Sequence, residues 1–191
     1  VPNLRSAKKV VITRKDMENL MINSGFKEYW ENLEQEYNVS DYVIKPKADG
    51  CSTGIVILRS YHDLAEYAKI IFSDLGHIPP KTFYMQSEVV QLPEVQTEEY
   101  LIEEYIKVDE ITIKDKKIYH NILNGWVELT VGVLEKNGEY NSLNPSITIA
   151  QDGILSLAEK FQGGTGINIT PPPEDIISKE LLNNIKTNME Q

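Results

Sequence analysis

The residues with the clearest chemical potential lie in a short loop of small side chains. Residues 45–54 read Lys-Pro-Lys-Ala-Asp-Gly-Cys-Ser-Thr-Gly. Small side chains let backbone N–H groups approach an anion closely, and a lysine adds a mobile positive charge suited to phosphate. The polar turn of a β-hairpin is the alternative interpretation. The candidate phosphate-binding residues are Lys45, Gly50, Cys51, Ser52 and Gly54.

Two predicted strands must position this loop. Residues 42–44 and 55–58 are β-branched, aromatic and aliphatic runs bounded by breakers. The connection between them is longer than a tight hairpin requires. It leads into a strand and not into a helix, unlike a Walker-type phosphate loop, and it lacks the Gly-x-Gly-x-x-Gly dinucleotide fingerprint. We therefore predict a strand–loop–strand unit that covers phosphates.

The same stretch resembles the lysine and glycine-rich loop of ATP-grasp enzymes. Residues 43–55, Val-Ile-Lys-Pro-Lys-Ala-Asp-Gly-Cys-Ser-Thr-Gly-Ile, are most similar to the D-alanine–D-alanine ligase family. That family usually shows Val-Lys-Pro, three residues, then Gly-Ser-Ser-x-Gly. Cys51 replaces the first serine of this pattern, and Ser52 keeps the second. The resemblance implies that Lys45 and the loop bind the phosphates of ATP.

A second segment resembles the strand that holds the base in this family. Residues 101–106 read Leu-Ile-Glu-Glu-Tyr-Ile, similar to the family's hinge strand. The resemblance implies that Glu103, Glu104 and Ile106 lie around the adenine. An edge strand whose carboxylates face water is the alternative interpretation, and the residues alone favour it.

A third segment resembles the ribose site. Residues 127–131, Val-Glu-Leu-Thr-Val, are similar to the family's Glu-Phe/Leu-Thr-Val motif. The resemblance implies that Glu128 binds the ribose hydroxyls, as a carboxylate accepting two hydrogen bonds can. The chain departs from the family at 107–126, where it carries an insertion in place of a short turn.

A fourth segment resembles the loop that closes over substrate and phosphates. It comprises residues 155–161, Leu-Ser-Leu-Ala-Glu-Lys-Phe. The resemblance implies that Lys160 neutralises the transferring phosphoryl group, and a solvated lysine is the alternative. Phe161 stands where the family generally has tyrosine, so loop closure and the choice of second substrate are expected to differ.

No segment after residue 173 matches the family's metal-binding motifs, and the sequence does not begin with methionine. We therefore expect an excised fragment that contains no metal site. The Mg²⁺ ligands are expected beyond residue 191. Without them we expect the fragment alone to be catalytically inactive.

Hydrophobic periodicity predicts an α+β fold. The predicted helices are 14–22, 26–37, 61–75 and one after Ser178, with capping residues Thr13, Ser60 and Ser178. The predicted strands are 10–12, 42–44, 55–58, 99–106, 111–113, 117–123, 127–134 and 146–149. Asn137-Gly138 is a predicted hairpin turn, and Gly76 is the predicted C-cap signal of the third helix. The aromatic residues of 26–37 are interpreted as core.

We divide the chain into a first lobe at 1–76, an antiparallel β lobe at 77–170 and the start of a truncated segment at 171–191. With the resemblance, this predicts an ATP-grasp-like fold in which two α+β lobes with mainly antiparallel sheets clamp a nucleotide.

Bulk composition limits the partners. A net charge of −10 argues against a general nucleic-acid binder. No apolar run reaches a membrane-spanning length, and no signal peptide opens the chain. One cysteine allows no intrachain disulfide, which fits a cytoplasmic location. The expected partners are ATP and a small amino-acid substrate, with a homodimer as the candidate assembly of the full-length protein.

The leading hypothesis is the ATP-binding part of a D-alanine–D-alanine ligase-like enzyme, which forms a dipeptide through an acyl phosphate for peptidoglycan-precursor synthesis. Two alternatives stay open: another ATP-grasp carboxylate–amine ligase, and a non-catalytic nucleotide-binding module. The substitution at Phe161 and the insertion at 107–126 keep the first alternative in play.

Overall fold

The computed structural model describes residues 5–95, 97–149 and 167–190. The helices in this part of the chain are Arg14–Ile22 (α1), Phe26–Tyr37 (α2), Tyr61–Ile71 (α3) and Lys179–Met189 (α4). The strands are Lys9–Thr13 (β1), Tyr42–Pro46 (β2), Val56–Leu58 (β3), His77–Ile78 (β4), Val90–Gln91 (β5), Glu99–Glu104 (β6), Glu110–Lys114 (β7), Lys117–Asn121 (β8), Val133–Lys136 (β9), Glu139–Ser142 (β10), Ile147–Ile149 (β11) and Ile167–Ile169 (β12).

Three helices begin where the sequence predicts, because side chains satisfy their first N–H groups. Thr13 Oγ1 accepts the Asp16 N–H at 3.0 Å, and the Asp16 carboxylate accepts the Thr13 N–H at 2.9 Å, which completes a capping box. The Thr13 hydroxyl also donates to Asp16 Oδ2 at 2.6 Å, and this bond, together with the one from the Thr13 N–H, lowers the pKa of Asp16. Ser60 and Ser178 cap α3 and α4. The predicted helix starts are confirmed.

The predicted end of α3 is wrong. We expected the helix to reach residue 75, with Gly76 just beyond it, but α3 ends at Ile71. Ser73 Oγ donates to the Ile70 carbonyl at 2.7 Å, so a side chain satisfies a backbone acceptor at the end of the helix. Serine competes in this way with helical hydrogen bonding, and the apolar Leu75 is left 52% exposed.

The main sheet has four antiparallel strands in the order β1-β6-β2-β3. β6 pairs with β1 on one side, where Val11 faces Leu101, and with β2 on the other, where Ile44 faces Ile102. The alternative interpretation of 99–106 as an edge strand is therefore wrong. Sequence alone could not reveal this, since both partners of β6 lie more than fifty residues away.

The core lies between one face of this sheet and helices α1–α3. Phe26, Trp30 and Leu33 of α2 are buried, which confirms the interpretation of that helix. Burial of each large apolar side chain contributes about 1.5–3 kcal/mol. The sheet residues of this core are Ile12, Tyr42, Ile44, Val56, Leu58, Tyr100 and Ile102, and its residues from α1 and α3 are Met17, Leu64, Tyr67, Ala68, Ile70 and Ile71.

The described residues fall into two compact units. One contains residues 6–106, and the other contains residues 107–149 and 167–190. The first unit holds the four-stranded sheet, and the second holds the two-stranded sheets β7–β8, β9–β10 and β11–β12 together with α4. The predicted boundaries at residues 76 and 170 remain a prediction.

The second unit corrects one predicted strand. In the predicted strand 127–134, regular β structure begins only at Val133. Before it, Thr130 forms an isolated β-bridge with Ser146. Val133 pairs with Ser142, so the opposing segment carries one extra residue between the two pairings. Pro145 lies in that segment, has no N–H to donate, and interrupts the ladder. The predicted turn at Asn137-Gly138 is confirmed, with φ of 57° and 81°.

Candidate functional site

The face of the main sheet away from the helices brings together two residues from separate motifs. Lys45 Nζ lies 2.6 Å from Glu103 Oε2. The strand register explains the contact: Val43 lies opposite Glu103, and Lys45 is two residues further along the same face of β2. The side chains are 34% and 20% exposed, so a ligand on this face can reach both charges.

The two glutamates of the predicted adenine site lie on opposite faces of the sheet, because side chains alternate along a strand. Glu103 is on the face of Lys45. Glu104 lies opposite the buried Tyr42, and its carboxylate accepts the Lys8 N–H at 3.4 Å. Ile106 follows the end of β6 and is 47% exposed. The structure therefore brings Glu103, and not Glu104, beside Lys45.

Apolar side chains border the Lys45–Glu103 pair. Leu101 lies opposite Lys45 on one neighbouring strand and opposite Val11 on the other. Val11 is 41% exposed, and Val43 and Leu101 are half-buried. The register places the charged pair between Leu101 and Val43, with Val11 next to Leu101 on the adjoining strand. This surface therefore combines half-buried apolar side chains with two charged groups, as the contacts of a planar ring with a polar edge require.

The glycine-rich loop joins β2 to β3 as predicted. Cys51 and Ser52 have positive φ values of 56° and 62°. The Gly50 N–H donates to Asp49 Oδ1 at 2.7 Å, and the Thr53 N–H donates to the Gly50 carbonyl at 3.1 Å. These bonds span one to three residues, so the tip of the loop is organised by its own backbone and by Asp49.

The end of the loop is anchored in the core through Gly54. Its N–H donates to the Gln91 carbonyl at 2.8 Å, and its carbonyl accepts a 2.8 Å hydrogen bond from Tyr67 Oη. Gly54 has φ +66°, and a Cβ there would lie 3.0 Å from the Pro46 ring. Tyr67 is fully buried on α3, and burial raises the pKa of its hydroxyl well above the ordinary value.

Sequence reasoning missed the role of Tyr67. Its position on the apolar stripe of α3 predicts only burial, which a phenylalanine would satisfy equally well. The one available signal was the hydroxyl itself, since a buried tyrosine usually finds a hydrogen-bond partner.

The remaining predicted site residues lie elsewhere. Glu128 belongs to the second unit and is exposed, on the irregular segment before Thr130. Lys160 and Phe161 lie outside the described residues. Within the described ranges, no group of three His, Cys, Asp or Glu side chains could hold a metal ion, and no helix is long and apolar enough to cross a bilayer.

The insertion at 107–126 contains the predicted hairpin, formed by β7 and β8, and a loop closed by Asp109. Asp109 Oδ1 accepts the N–H groups of Leu123, Asn124 and Gly125, each at 2.9 Å. Its Oδ2 lies 3.0 Å from His120 Nε2. The backbone hydrogen bond from Asn124, with those from the other donors, holds the pKa of Asp109 well below its usual range. We call residues 109 and 120–125 the Asp109 latch.

The described fold is thus α+β, with antiparallel pairing in every described sheet. Among solved structures, the chain is similar to D-alanyl-alanine synthetase A from Vibrio cholerae, with a TM-score of 0.55 and 13% sequence identity. The match covers 98% of this chain and 41% of that protein, so this chain spans less than half of its length.

No protein-family model and no curated protein matches the chain. The structural similarity confirms the predicted fold class, since the chain has an α+β fold similar to that of this synthetase. At this level of identity the similarity concerns the fold alone.

Proposed function

We propose that the chain is the ATP-binding part of an ATP-dependent carboxylate–amine ligase of the D-alanine–D-alanine ligase kind. The observation that carries the proposal is the Lys45–Glu103 pair, which lies among half-buried apolar side chains and at the base of a glycine-rich loop. A nucleotide needs these three features: a flat apolar contact, a polar group at the edge of the base, and positive or N–H donors for phosphate.

The pair can serve both ends of a nucleotide. An ammonium group has three donors, so Lys45 can keep Glu103 and still donate to a phosphate oxygen. The Glu103 carboxylate has acceptor sites left for the amino group of adenine. In this proposal the base packs against Val11 and Leu101, which lie opposite each other on the same side of the pair.

The loop supplies the phosphate contacts in this proposal. Cys51 and Ser52 are at its exposed tip. The Gly50 N–H, which donates to Asp49, becomes a phosphate donor when a phosphate oxygen takes the place of the Asp49 carboxylate. The Gly54 N–H already donates to the Gln91 carbonyl, so it is not assigned to a phosphate. In this proposal Gly54 instead fixes the conformation in which the loop ends.

The other functional assignments rest on the resemblance in the sequence. In this proposal Glu128 binds the ribose hydroxyls, Lys160 contacts the transferring phosphoryl group, and Phe161 lies in the closing loop. The proposed parent enzyme transfers the γ-phosphoryl group of ATP to the carboxylate of a small amino acid, which gives an acyl phosphate and releases ADP. The amine of a second amino acid then attacks the acyl carbon, forms the amide bond and releases inorganic phosphate. Mg²⁺, held by ligands outside the described residues, would supply positive charge to the phosphates.

The insertion favours a second candidate within the same class. The β7–β8 hairpin and its latch form an ordered addition. A ligase with a different substrate pair is therefore the second candidate.

Calorimetric titration of the chain with ATP tests the proposal. We expect Lys45→Ala and Glu128→Ala to weaken ATP binding about tenfold or more, since a hydrogen bond to a charged group contributes about 1.5–3 kcal/mol. Lys27→Ala is the matched control, because Lys27 pairs with Glu31 on the surface of α2, and it should leave affinity unchanged. A folded chain that shows no affinity for ATP would contradict the proposal.

A further inference from the structure

The β2–β3 loop is closed at its base by a contact between its two ends. Pro46, the last residue of β2, packs against Gly54 so closely that a Cβ on Gly54 would approach its Cγ and Cδ to 3.0 and 3.1 Å. The Gly54 N–H donates to Gln91 of β5. Lys47, at the start of the loop, is bonded to Glu99 of β6 through its N–H at 3.0 Å and its ammonium group at 2.7 Å. At the tip, Asp49, Gly50 and Thr53 are hydrogen-bonded to one another, so the orientation of the tip depends on how both ends of the loop are held.

Tyr67 completes this base. Its hydroxyl reaches from the buried side of α3 to the Gly54 carbonyl at 2.8 Å, and a Cβ on Gly54 would lie 3.3 Å from the same oxygen. The ring packs edge-on against Tyr100 of β6, with centroids 5.9 Å apart. The hydroxyl therefore links the loop to the helix and, through the ring, to the strand that carries Glu103.

We propose that Tyr67 is a positioning residue for phosphate binding, which acts through the Gly54 carbonyl to hold the glycine-rich loop in the conformation that receives the phosphates. This inference rests on the proposed function. A carbonyl fixed by a buried donor fixes the peptide plane that precedes Ile55, and with it the path of the chain from Ser52 to β3.

Removing the hydroxyl should release this constraint without opening the core. Tyr67→Phe keeps the ring and its contacts and deletes one donor. The loop then samples further conformations, and the apparent affinity for a phosphate-bearing ligand falls in proportion to the fraction of molecules in the competent conformation. We expect ATP to bind about threefold to tenfold more weakly, while adenosine, which has no phosphates, keeps its affinity.

Tyr42→Phe is the matched control. Tyr42 is a buried tyrosine of β2, and within the described residues its hydroxyl has no hydrogen-bond partner. It should therefore change neither ATP nor adenosine binding. Hydrogen exchange of the loop amides gives a second measurement, which should be faster in Tyr67→Phe and unchanged in Tyr42→Phe.

The outcomes separate the two claims. Failure of the unaltered chain to bind ATP would overturn the proposed function and this inference together. Unchanged ATP affinity and unchanged loop exchange in Tyr67→Phe would overturn the inference alone. An equal loss of ATP and adenosine binding would also overturn it, because it would show a structural role without a phosphate-specific effect.

Discussion

At the scale of single residues, Gly54 shows how a backbone conformation becomes a functional constraint. Its φ of +66° is in the left-handed region, which costs an L side chain about 1 kcal/mol or more. In addition, the Pro46 ring and the Tyr67 hydroxyl occupy the space that a Cβ would need. Conformation and packing therefore both demand glycine at this position.

Gly54→Ala should destabilise the chain by more than its backbone strain alone. Gly76 offers a matched control, since it has the same φ of +66° and a Cβ there would meet no atom within 4 Å. We expect Gly76→Ala to cost about 1 kcal/mol and Gly54→Ala about 1–3 kcal/mol more, the usual cost of overpacking. Chemical denaturation measures both. Equal losses would show that the Pro46 ring and the Tyr67 hydroxyl move away from the new Cβ at no cost.

At the scale of elements, the Asp109 latch replaces a hydrophobic core for the inserted hairpin. The two-stranded β7–β8 sheet exposes Ile118 and Tyr119 at 37% and 49%, and an isolated hairpin is marginally stable in water. One buried carboxylate instead gathers three consecutive backbone donors and a histidine. Hydrogen bonds to a charged acceptor are stronger than neutral ones, so this carboxylate holds the loop after β8.

Asp109→Asn should lower the melting temperature at neutral pH by a few degrees. It should also make the melting temperature fall less when the pH is lowered. The folded-state pKa of Asp109 is depressed, so its contribution to stability is complete above the unfolded pKa of about 3.9 and is lost as pH falls toward the folded pKa. Thermal unfolding measured between pH 7 and pH 2 should therefore show a smaller decrease in melting temperature for the variant than for the unaltered chain.

The control for this measurement is Asp115→Asn, which alters a carboxylate in the β7–β8 turn. Its acid profile should follow that of the unaltered chain. If Asp109→Asn and the unaltered chain lost stability equally on acidification, the latch would not depend on the Asp109 charge.

At the scale of the whole molecule, the two ends of the inserted hairpin lie next to each other, so the hairpin can be removed and its ends rejoined. The Asp109 N–H donates to the Trp126 carbonyl at 2.7 Å, so the chain enters and leaves the insertion at adjacent points. The segment between them makes its described hydrogen bonds mainly within residues 107–126. A short turn can therefore join the flanking residues.

We expect a shortened chain to fold. Replacing residues 109–125 by Thr-Asn-Gly keeps a backbone donor at position 109 and provides the residues of a two-residue turn. Circular dichroism should show a cooperative melt within a few degrees of the parent, and ATP affinity should persist, because Lys45, Glu103 and the loop lie in the first unit. Loss of the cooperative transition would show that the hairpin supports the second unit.

The sequence by itself predicted the elements whose signals are local. The bounds of α1 and α2, the capping residues Thr13, Ser60 and Ser178, the Asn137-Gly138 turn and the strand–loop–strand unit around Gly54 all agree with the structure. Each depends on side chains within a few residues of one another, so the spacing of apolar and capping residues contains the necessary information.

Tertiary structure alone decided how these pieces combine. The inner position of β6, the break at Pro145, the Lys45–Glu103 pair and the bond from Tyr67 to Gly54 each depend on residues distant in sequence or on the pairing register. A register shift of one residue would turn Glu103 to the opposite face of the sheet, and no local pattern specifies that register. The sequence therefore indicated a set of candidate nucleotide-binding residues, and strand pairing decided which of them share a face.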